Sequence, residues 1–97
     1  MSEPGGAWEL VRTETFLRAL KKYLKKHPDR TNAVRSVLSQ LAENPRVPKL
    51  RLRSLGGKFQ DLHAVRVTYG DRIIMILAIH QRQVVLLDIG THDNVYR

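Results

Sequence analysis

The sequence contains no cysteine, so neither disulfide bonds nor thiolate metal sites are available to the protein. This composition is typical of a reducing compartment, and we expect a soluble protein of the cytoplasm. No apolar run approaches the length of a membrane span, and residues 1–7 lack the basic start and apolar stretch of an export signal. A chain of 97 residues has the length of a single domain. We therefore expect a single domain over residues 1–97, with residues 1–7 as a loose leader.

Acidic residues are scarce. Nine Asp and Glu stand against seventeen Lys and Arg, which gives a formal net charge of +8. The excess is confined to residues 12–58, which carry thirteen basic residues and three acids, whereas the rest of the chain is slightly acidic. Such a field concentrates polyphosphates or acidic protein segments near the surface without choosing between them. Nucleic acid and an acidic partner protein are therefore both open as ligands.

Two amphipathic helices are predicted in the first half of the chain. After a short strand at residues 8–12, apolar residues at spacings of three and four predict a helix over residues 13–27, which Pro28 ends. Asp29 can cap a second helix, which stops where Asn44-Pro45 forces extended backbone. The two helices are expected to form a hairpin.

The apolar period changes to two after the second helix. Leu50 and Leu52 alternate with basic residues, which predicts a half-buried strand with a basic outer face. Three more strands are predicted at residues 62–68, 72–80 and 84–89, and the second of these is apolar on both faces, as a central strand is. The order β-α-α-β-β-β-β predicts an α+β two-layer fold, with the helical hairpin packed on a largely antiparallel, twisted sheet.

Three segments carry a resemblance to a known family. They are residues 55–58 (Leu-Gly-Gly-Lys), residues 69–74 (Tyr-Gly-Asp-Arg-Ile-Ile) and the tail at residues 86–97. In this order, with the basic first helix and the Asn-Pro stop, the chain resembles the RelE/ParE toxin superfamily over essentially its whole length, and its YafQ-like branch in particular. The RelE-like fold that this implies agrees with the fold predicted above.

The resemblance implies a toxin that a co-expressed antitoxin holds inactive. When released, such a toxin enters the ribosomal A site and cleaves messenger RNA. The resemblance also implies that no metal is needed, because the 2′-OH of the RNA is the nucleophile. The protein then has to orient that hydroxyl, offset charge on the phosphate and manage two proton transfers.

Two strand arginines match catalytic positions of the family. Arg72 matches the arginine that contacts the scissile phosphate, and a guanidinium at a strand end suits bidentate phosphate binding. An ion pair of Arg72 with Asp71 or Asp61 is the structural alternative. Arg66 matches a basic residue that steadies the attacking oxygen or the phosphate, and its alternative is a solvated strand face.

Two tail residues complete the catalytic set that the resemblance implies. His92 matches the catalytic histidine of the YafQ-like branch and is the candidate general acid or base, with a turn-capping histidine as the alternative. Tyr96 matches an aromatic residue that stacks on a base or assists a proton transfer, although it could equally anchor the tail. The other histidines, His27, His63 and His80, are interpreted as core, edge or element-terminal residues.

A basic patch after the second helix is the candidate RNA-binding surface. It comprises Lys49, Arg51, Arg53 and Lys58, and the alternation predicts that its charges share one sheet face. The four lysines of the first helix form another cluster, for which RNA contact and a solvated helix face are both open.

Two positions depart from the YafQ-like pattern. Arg53 stands where that branch has a histidine, and Asp88 stands where it has an arginine. One acid/base candidate and one cation are therefore missing. The leading hypothesis is still a ribosome-dependent mRNA endoribonuclease, and the alternatives are a ParE-like protein that poisons DNA gyrase and a non-catalytic RNA- or antitoxin-binding protein. Under each we expect an antitoxin whose acidic helix or strand covers the basic face. With no HExxH motif or close cluster of His and carboxylates, we assign no metal.

Overall fold

The computed structural model of the chain describes residues 8–55 and 61–91. Within these ranges two α-helices pack on one face of a five-stranded sheet, which confirms the predicted α+β architecture. The predicted leader at residues 1–7 lies outside the described residues. In chain order the elements are β1 (Glu9–Arg12), α1 (Glu14–Lys26), α2 (Thr31–Glu43), β2 (Arg53–Ser54), β3 (Leu62–Thr68), β4 (Asp71–Ala78) and β5 (Gln83–Thr91), with 3-10 turns at Pro28–Arg30 and Pro48–Leu50.

The sheet has the strand order β1-β5-β4-β3-β2, so β4 is central as predicted. The strands β2 to β5 form an antiparallel meander. Within the described sheet, only β1 runs parallel to its neighbour, which is β5. The two helices follow β1 in the sequence and act as the crossover connection that a parallel pair needs. A turn of two residues, Tyr69-Gly70, joins β3 to β4 and brings the paired ends of these strands close together.

Helix α1 begins at a threonine that also joins it to the sheet. The Thr13 hydroxyl accepts a hydrogen bond from the backbone N–H of Phe16 at 3.1 Å and donates one to the carbonyl of Leu86 in β5 at 2.7 Å. Such a cap satisfies one of the free N–H groups of the first turn. It orients the inner face of α1, which carries the buried Phe16 and Tyr23, towards β5.

Helix α2 starts differently from the prediction. Its N-cap residue is Arg30, which makes no capping hydrogen bond through its side chain, so the predicted cap at Asp29 is wrong. The reason is Pro28, whose fixed φ suits the first position of a 3-10 turn and places Asp29 inside that turn. The helix then runs to Glu43 and ends before Pro45, as the Asn-Pro pair predicts.

The core lies between the helices and one face of the sheet. Burial of these apolar side chains is the main stabilising contribution in a domain of this size. No helix in the described parts of the chain is long and apolar enough to cross a membrane. The core cluster comprises Trp8, Phe16, Tyr23, Val34, Val37, Leu41, Leu50, Val65, Ile73, Met75, Leu77, Val84, Leu86 and Ile89.

The predicted basic strand around Leu50 and Leu52 is wrong in form. Residues Pro48–Leu50 make a 3-10 turn, and Arg51 follows with a left-handed backbone (φ 53°). Strand β2 begins only at Arg53 and has two residues. Pro48 has no N–H to give to a ladder and begins the turn instead. The apolar alternation nevertheless reports burial correctly, because Leu50 is only 1% exposed.

Candidate functional site

The face of the sheet opposite the helices carries two neighbouring arginines. Arg66 in β3 is paired directly with Arg72 in β4, so the two side chains leave the sheet on the same side. Val65 and Ile73 pack in the core beneath the helices. Since successive residues of a strand point to opposite faces, Arg66 and Arg72 lie on the face away from the helices.

The segment between α2 and β3 adds two more arginines beside this pair. Arg53 in β2 is paired with Ala64, two residues before Arg66, which places Arg53 on the same sheet face. Together these side chains line a cleft of about 390 Å³, called here the arginine cleft. No acidic residue of the described ranges lines it, so its electrostatic field is strongly positive. The lining residues are Pro48, Arg51, Leu52, Arg53, Arg66 and Arg72.

Backbone carbonyls hold Arg72 in place. Its Nη1 donates to the carbonyl oxygens of Thr68, Tyr69 and Asp71 at 3.4, 3.1 and 3.1 Å. Within residues 8–55 and 61–91, no ion pair of Arg72 with Asp71 or Asp61 is found, and Asp71 pairs with Arg30 instead. The guanidinium is therefore oriented by the β3–β4 turn while no carboxylate of the described chain neutralises its charge.

Arg66 has an unpaired donor at the cleft. Its Nε is buried and has no hydrogen-bond partner in the described part of the protein. A buried donor without a partner costs about 1 to 3 kcal/mol, more when the group is charged. Its guanidinium carbon lies 5.6 Å from the centroid of the Tyr69 ring, within the range of a cation–π contact.

A buried carboxylate organises the turn that holds Arg72. Asp71 is 2% exposed, and its Oδ2 accepts hydrogen bonds from the Tyr23 hydroxyl at 2.5 Å, from Thr68 at 2.9 Å and from Arg30. Burial alone would raise the pKa of Asp71, but the hydrogen bonds from Tyr23 and Thr68 and the charge of Arg30 outweigh it and lower that pKa. Burial and the hydrogen bond to Asp71 raise the pKa of Tyr23 to about 12.

This cluster joins three parts of the chain that are far apart in sequence. Tyr23 of α1 lies 48 residues before Asp71, and Arg30 of the first 3-10 turn lies 41 residues before it. The sequence pattern gives no sign of this cluster, because periodicity marks Tyr23 only as an apolar core position and does not show the partner of its hydroxyl. The exposed Tyr69 was also missed, since a turn residue carries no periodic signal.

The remaining predicted site residues are less well placed. Lys49 is exposed in the second 3-10 turn and does not line the arginine cleft. The predicted single basic face is therefore wrong for Lys49, because the turn replaces the strand whose alternation would have aligned it. Lys58, His92 and Tyr96 lie outside the described residues. Strand β5 ends next to the cleft arginines, however, since Gly90 is paired with Arg72.

The departure at Asp88 does not place an acid in the arginine cleft. The Asp88 carboxylate accepts a hydrogen bond from the backbone N–H of Ile89 at 2.8 Å. It borders a second cavity of about 780 Å³ between α1 and β5, called here the α1 groove. The α1 groove is lined by Arg18, Ala19, Lys22, Tyr23, Lys26, His27, Asp88, Ile89, Gly90 and Thr91.

The described histidines occupy structural positions, as interpreted from the sequence. His27 caps the C-terminus of α1, and its ring lies 4.9 Å from that of Tyr23. His63 is half-buried near the sheet edge, where it is paired with Ser54. His80 follows the end of β4. In the described ranges, no group of three or more His, Cys, Asp or Glu residues could hold a metal ion.

Comparisons with known proteins show which solved structures share this fold. No protein-family model matches the sequence, and no curated protein matches it significantly. Solved structures do match. YafQ from E. coli strain BL21(DE3) has a TM-score of 0.77 and 16% identity, over 93% of this chain and 99% of that chain. In the E. coli DinJ-YafQ toxin-antitoxin complex the TM-score is 0.78 and the identity 17%, over 93% and 98% of the two chains.

A third structure comes from another organism. The YoeB/ParE toxin from Agrobacterium tumefaciens has a TM-score of 0.72 and 12% identity, over 87% of this chain and 98% of that chain. All three similarities extend over nearly the full length of both chains, so they concern the whole fold rather than one motif. The chain therefore has the RelE/ParE-like toxin fold that the motifs in its sequence predict.

Proposed function

We propose that this protein is the toxin of a type II toxin-antitoxin system and acts as a ribosome-dependent mRNA endoribonuclease in the cytoplasm. The observation that supports this function is the arginine cleft, which is lined by Arg51, Arg53, Arg66 and Arg72 and by no acidic residue of the described chain. Guanidinium groups gathered in this way repel one another until an anion binds. Their planar arrangement of donors matches phosphate oxygens.

The proposed chemistry is an internal transfer within the RNA. The 2′-oxygen attacks the adjacent phosphorus, the bond from phosphorus to the 5′-oxygen breaks, and the products are a 2′,3′-cyclic phosphate and a new 5′-hydroxyl end. Negative charge grows on the non-bridging oxygens in the transition state. Arg72, oriented by three turn carbonyls, and Arg66, which lines the cleft beside it, are the donors that would stabilise that charge.

Two protons have to move in this reaction. One leaves the 2′-hydroxyl and one reaches the departing 5′-oxygen, and we assign one of these transfers to His92, since an imidazole both accepts and donates protons near neutral pH. The pairing of Gly90 with Arg72 and of Thr91 with Asp71 supports this assignment, because it brings the chain to the cleft immediately before His92. Tyr96 is proposed to stack on a base or to assist the other transfer.

The surrounding basic residues are proposed to hold the RNA backbone. Arg51 and Arg53 lie in the arginine cleft itself, and Lys49 and Lys58 are assigned to flanking phosphates. Arg53 occupies the position of a histidine in the YafQ-like pattern, and its permanent charge suits phosphate binding rather than proton transfer.

The α1 groove is the proposed antitoxin site. Arg18, Lys22 and Lys26 are four residues apart in turn, so they form one basic stripe along α1 beside the end of β5. A helix or extended segment with regularly spaced carboxylates would complement this stripe. The complex of E. coli YafQ with DinJ supports an antitoxin partner. Lys22→Glu should weaken antitoxin binding in calorimetric titration, and an unchanged affinity would place the partner elsewhere.

Translation of a defined message by purified ribosomes tests the nuclease. New RNA ends are mapped by primer extension with the intact protein, with Arg72→Ala and with His92→Ala. Arg35→Ala is the matched control, because Arg35 is an exposed arginine of α2 and α2 packs on the opposite face of the sheet. We expect ends that require ribosomes, disappear with the first two variants and persist with the control.

Two other outcomes would contradict the proposal. Ends that persist in Arg72→Ala would remove the arginine cleft from the mechanism. The absence of any new ends, with protein that is folded and free of antitoxin, would reject the nuclease. Relaxation and supercoiling assays with DNA gyrase would then distinguish gyrase inhibition from a role in binding alone.

A further inference from the structure

Tyr69 is an exposed aromatic residue at the edge of the arginine cleft. It occupies the two-residue turn between β3 and β4 and is 86% exposed, well above Ile79 at 50% and Leu17 at 46% among the exposed large apolar residues of the described chain. A ring that is exposed to this extent contributes almost no burial free energy to the folded state. The fold therefore does not account for an aromatic residue here, and a ligand could use the exposed ring.

Both paired arginines of the cleft contact this residue. Arg72 donates to its backbone carbonyl at 3.1 Å, and the guanidinium carbon of Arg66 lies 5.6 Å from the centroid of its ring. The turn is therefore held at its backbone by one arginine, and the ring is held by the other. At 86% exposure most of the ring surface remains open to a ligand.

This arrangement matches the way in which single-stranded nucleic acids bind. A positive groove holds the phosphates while aromatic rings beside it stack on the bases. Arg66 joins the two parts, because it lines the cleft and also contacts the ring. A cation against one side of an aromatic ring and a base against the other is a favourable arrangement.

We propose that Tyr69 is a nucleobase-stacking residue, which binds the base of a nucleotide whose neighbouring phosphate occupies the arginine cleft. This inference rests on the proposed function for its RNA ligand. Stacking uses the face of a base and not its edge, so this contact tolerates any base. Its hydroxyl has no part in the contact, and phenylalanine should replace it.

The experiment compares two ligands that differ only in the bases. One is a short single-stranded oligonucleotide of 2′-O-methyl purine nucleotides, which cannot be cleaved because the nucleophile is blocked. The other has the same length and phosphates but abasic sugars. Affinities are measured by fluorescence anisotropy for the intact protein and for Tyr69→Ala, Tyr69→Phe and Arg72→Ala.

We expect Tyr69→Ala to bind the purine oligonucleotide about tenfold more weakly and to bind the abasic one as the intact protein does. Tyr69→Phe should restore the affinity for the purine ligand. Arg72→Ala should weaken the binding of both ligands, because both carry the phosphates. The Tm of Tyr69→Ala should lie within about 3 °C of that of the intact protein, as for other exposed positions.

Two results would overturn the proposal. Equal affinities of Tyr69→Ala and the intact protein for the purine ligand would show that no base stacks there. An equal loss with both ligands would show that Tyr69 acts only by shaping the turn around Arg72. Neither result depends on cleavage, so stacking can stand where the nuclease assay fails, and the nuclease can stand where stacking fails.

Discussion

Removal of one hydroxyl group from the buried cluster around Asp71 gives the most direct test of the structure. In Tyr23→Phe the ring keeps its place in the core, and the hydrogen bond to the Asp71 carboxylate is lost. A hydrogen bond to a charged group contributes about 1.5 to 3 kcal/mol. Thr68 and Arg30 remain on the same oxygen, while 2% exposure of Asp71 leaves little room for a replacing water.

We therefore expect Tyr23→Phe to lower the free energy of unfolding by about 2 kcal/mol at neutral pH. For a domain of this size, that loss corresponds to a fall in Tm of about 8 to 16 °C. Tyr69→Phe is the control, because it removes the same hydroxyl from an exposed side chain and should change stability by less than about 0.5 kcal/mol.

The pH dependence identifies the partner of the hydroxyl. The folded protein lowers the pKa of Asp71, so the stability that this group contributes is present above its unfolded value of about 3.9 and is lost as the pH falls through the folded pKa. Losing the Tyr23 hydrogen bond brings the folded pKa closer to the unfolded one. The difference between the variant and the intact protein should therefore be largest near pH 7 and shrink below about pH 4.

Urea denaturation at a series of pH values measures this difference. A destabilisation that is the same at pH 7 and below pH 4 would refute the reasoning, because it would show that the hydroxyl acts by packing and not through the Asp71 charge. A loss no larger than that of Tyr69→Phe would remove the hydrogen bond from the account of stability altogether.

Three further predictions follow from the same geometry. Asp71→Asn should lower the free energy of unfolding by more than Tyr23→Phe in urea denaturation at neutral pH, since it removes the charged acceptor that Tyr23, Thr68 and Arg30 share. A loss smaller than that of Tyr23→Phe would contradict this. Arg51→Gly should raise the free energy of unfolding by up to about 1 kcal/mol, because glycine adopts the left-handed backbone without strain. The same variant should lower the slope of log RNA affinity against log salt concentration by about 1, and an unchanged slope would show that Arg51 does not bind phosphate. The Tyr23 phenol, with a pKa of about 12, should ionise at higher pH than free tyrosine in an absorbance titration. The stability tied to it should be complete below the unfolded pKa of about 10 and should be lost as the pH rises through the folded pKa of about 12; ionisation at the pH of free tyrosine would contradict this.

Local patterns predicted much of the fold. Periodicity and the proline stops place both helices within a few residues, because an amphipathic helix and its end depend on neighbours in sequence. Strand β3 is predicted at its observed bounds, and β4 is predicted at the centre because its side chains are apolar on both faces. The segment at residues 48–53 fails because the apolar alternation of Leu50 and Leu52 reports their burial but not whether the backbone is extended.

The arrangement of the candidate site depends on features that the sequence pattern does not show. The two-residue turn, which pairs Thr68 with Asp71, would by itself put Arg66 opposite Ile73. A β-bulge between Arg66 and Thr68 shifts the register and pairs Arg66 with Arg72, and the sequence pattern gives no sign of this bulge. The meeting of these two arginines with Arg51 and Arg53 depends on how the segment after α2 returns to the edge of the sheet.

The sequence by itself determined the class of fold, the excess of positive charge and its place in the chain, because these depend on composition and on contacts between near neighbours. Only the tertiary structure decided that four arginines share one cleft, that Tyr23 and Arg30 converge on Asp71, and that Tyr69 stands exposed beside Arg66. These contacts join residues from different elements, and the packing of helices on a sheet sets their distances.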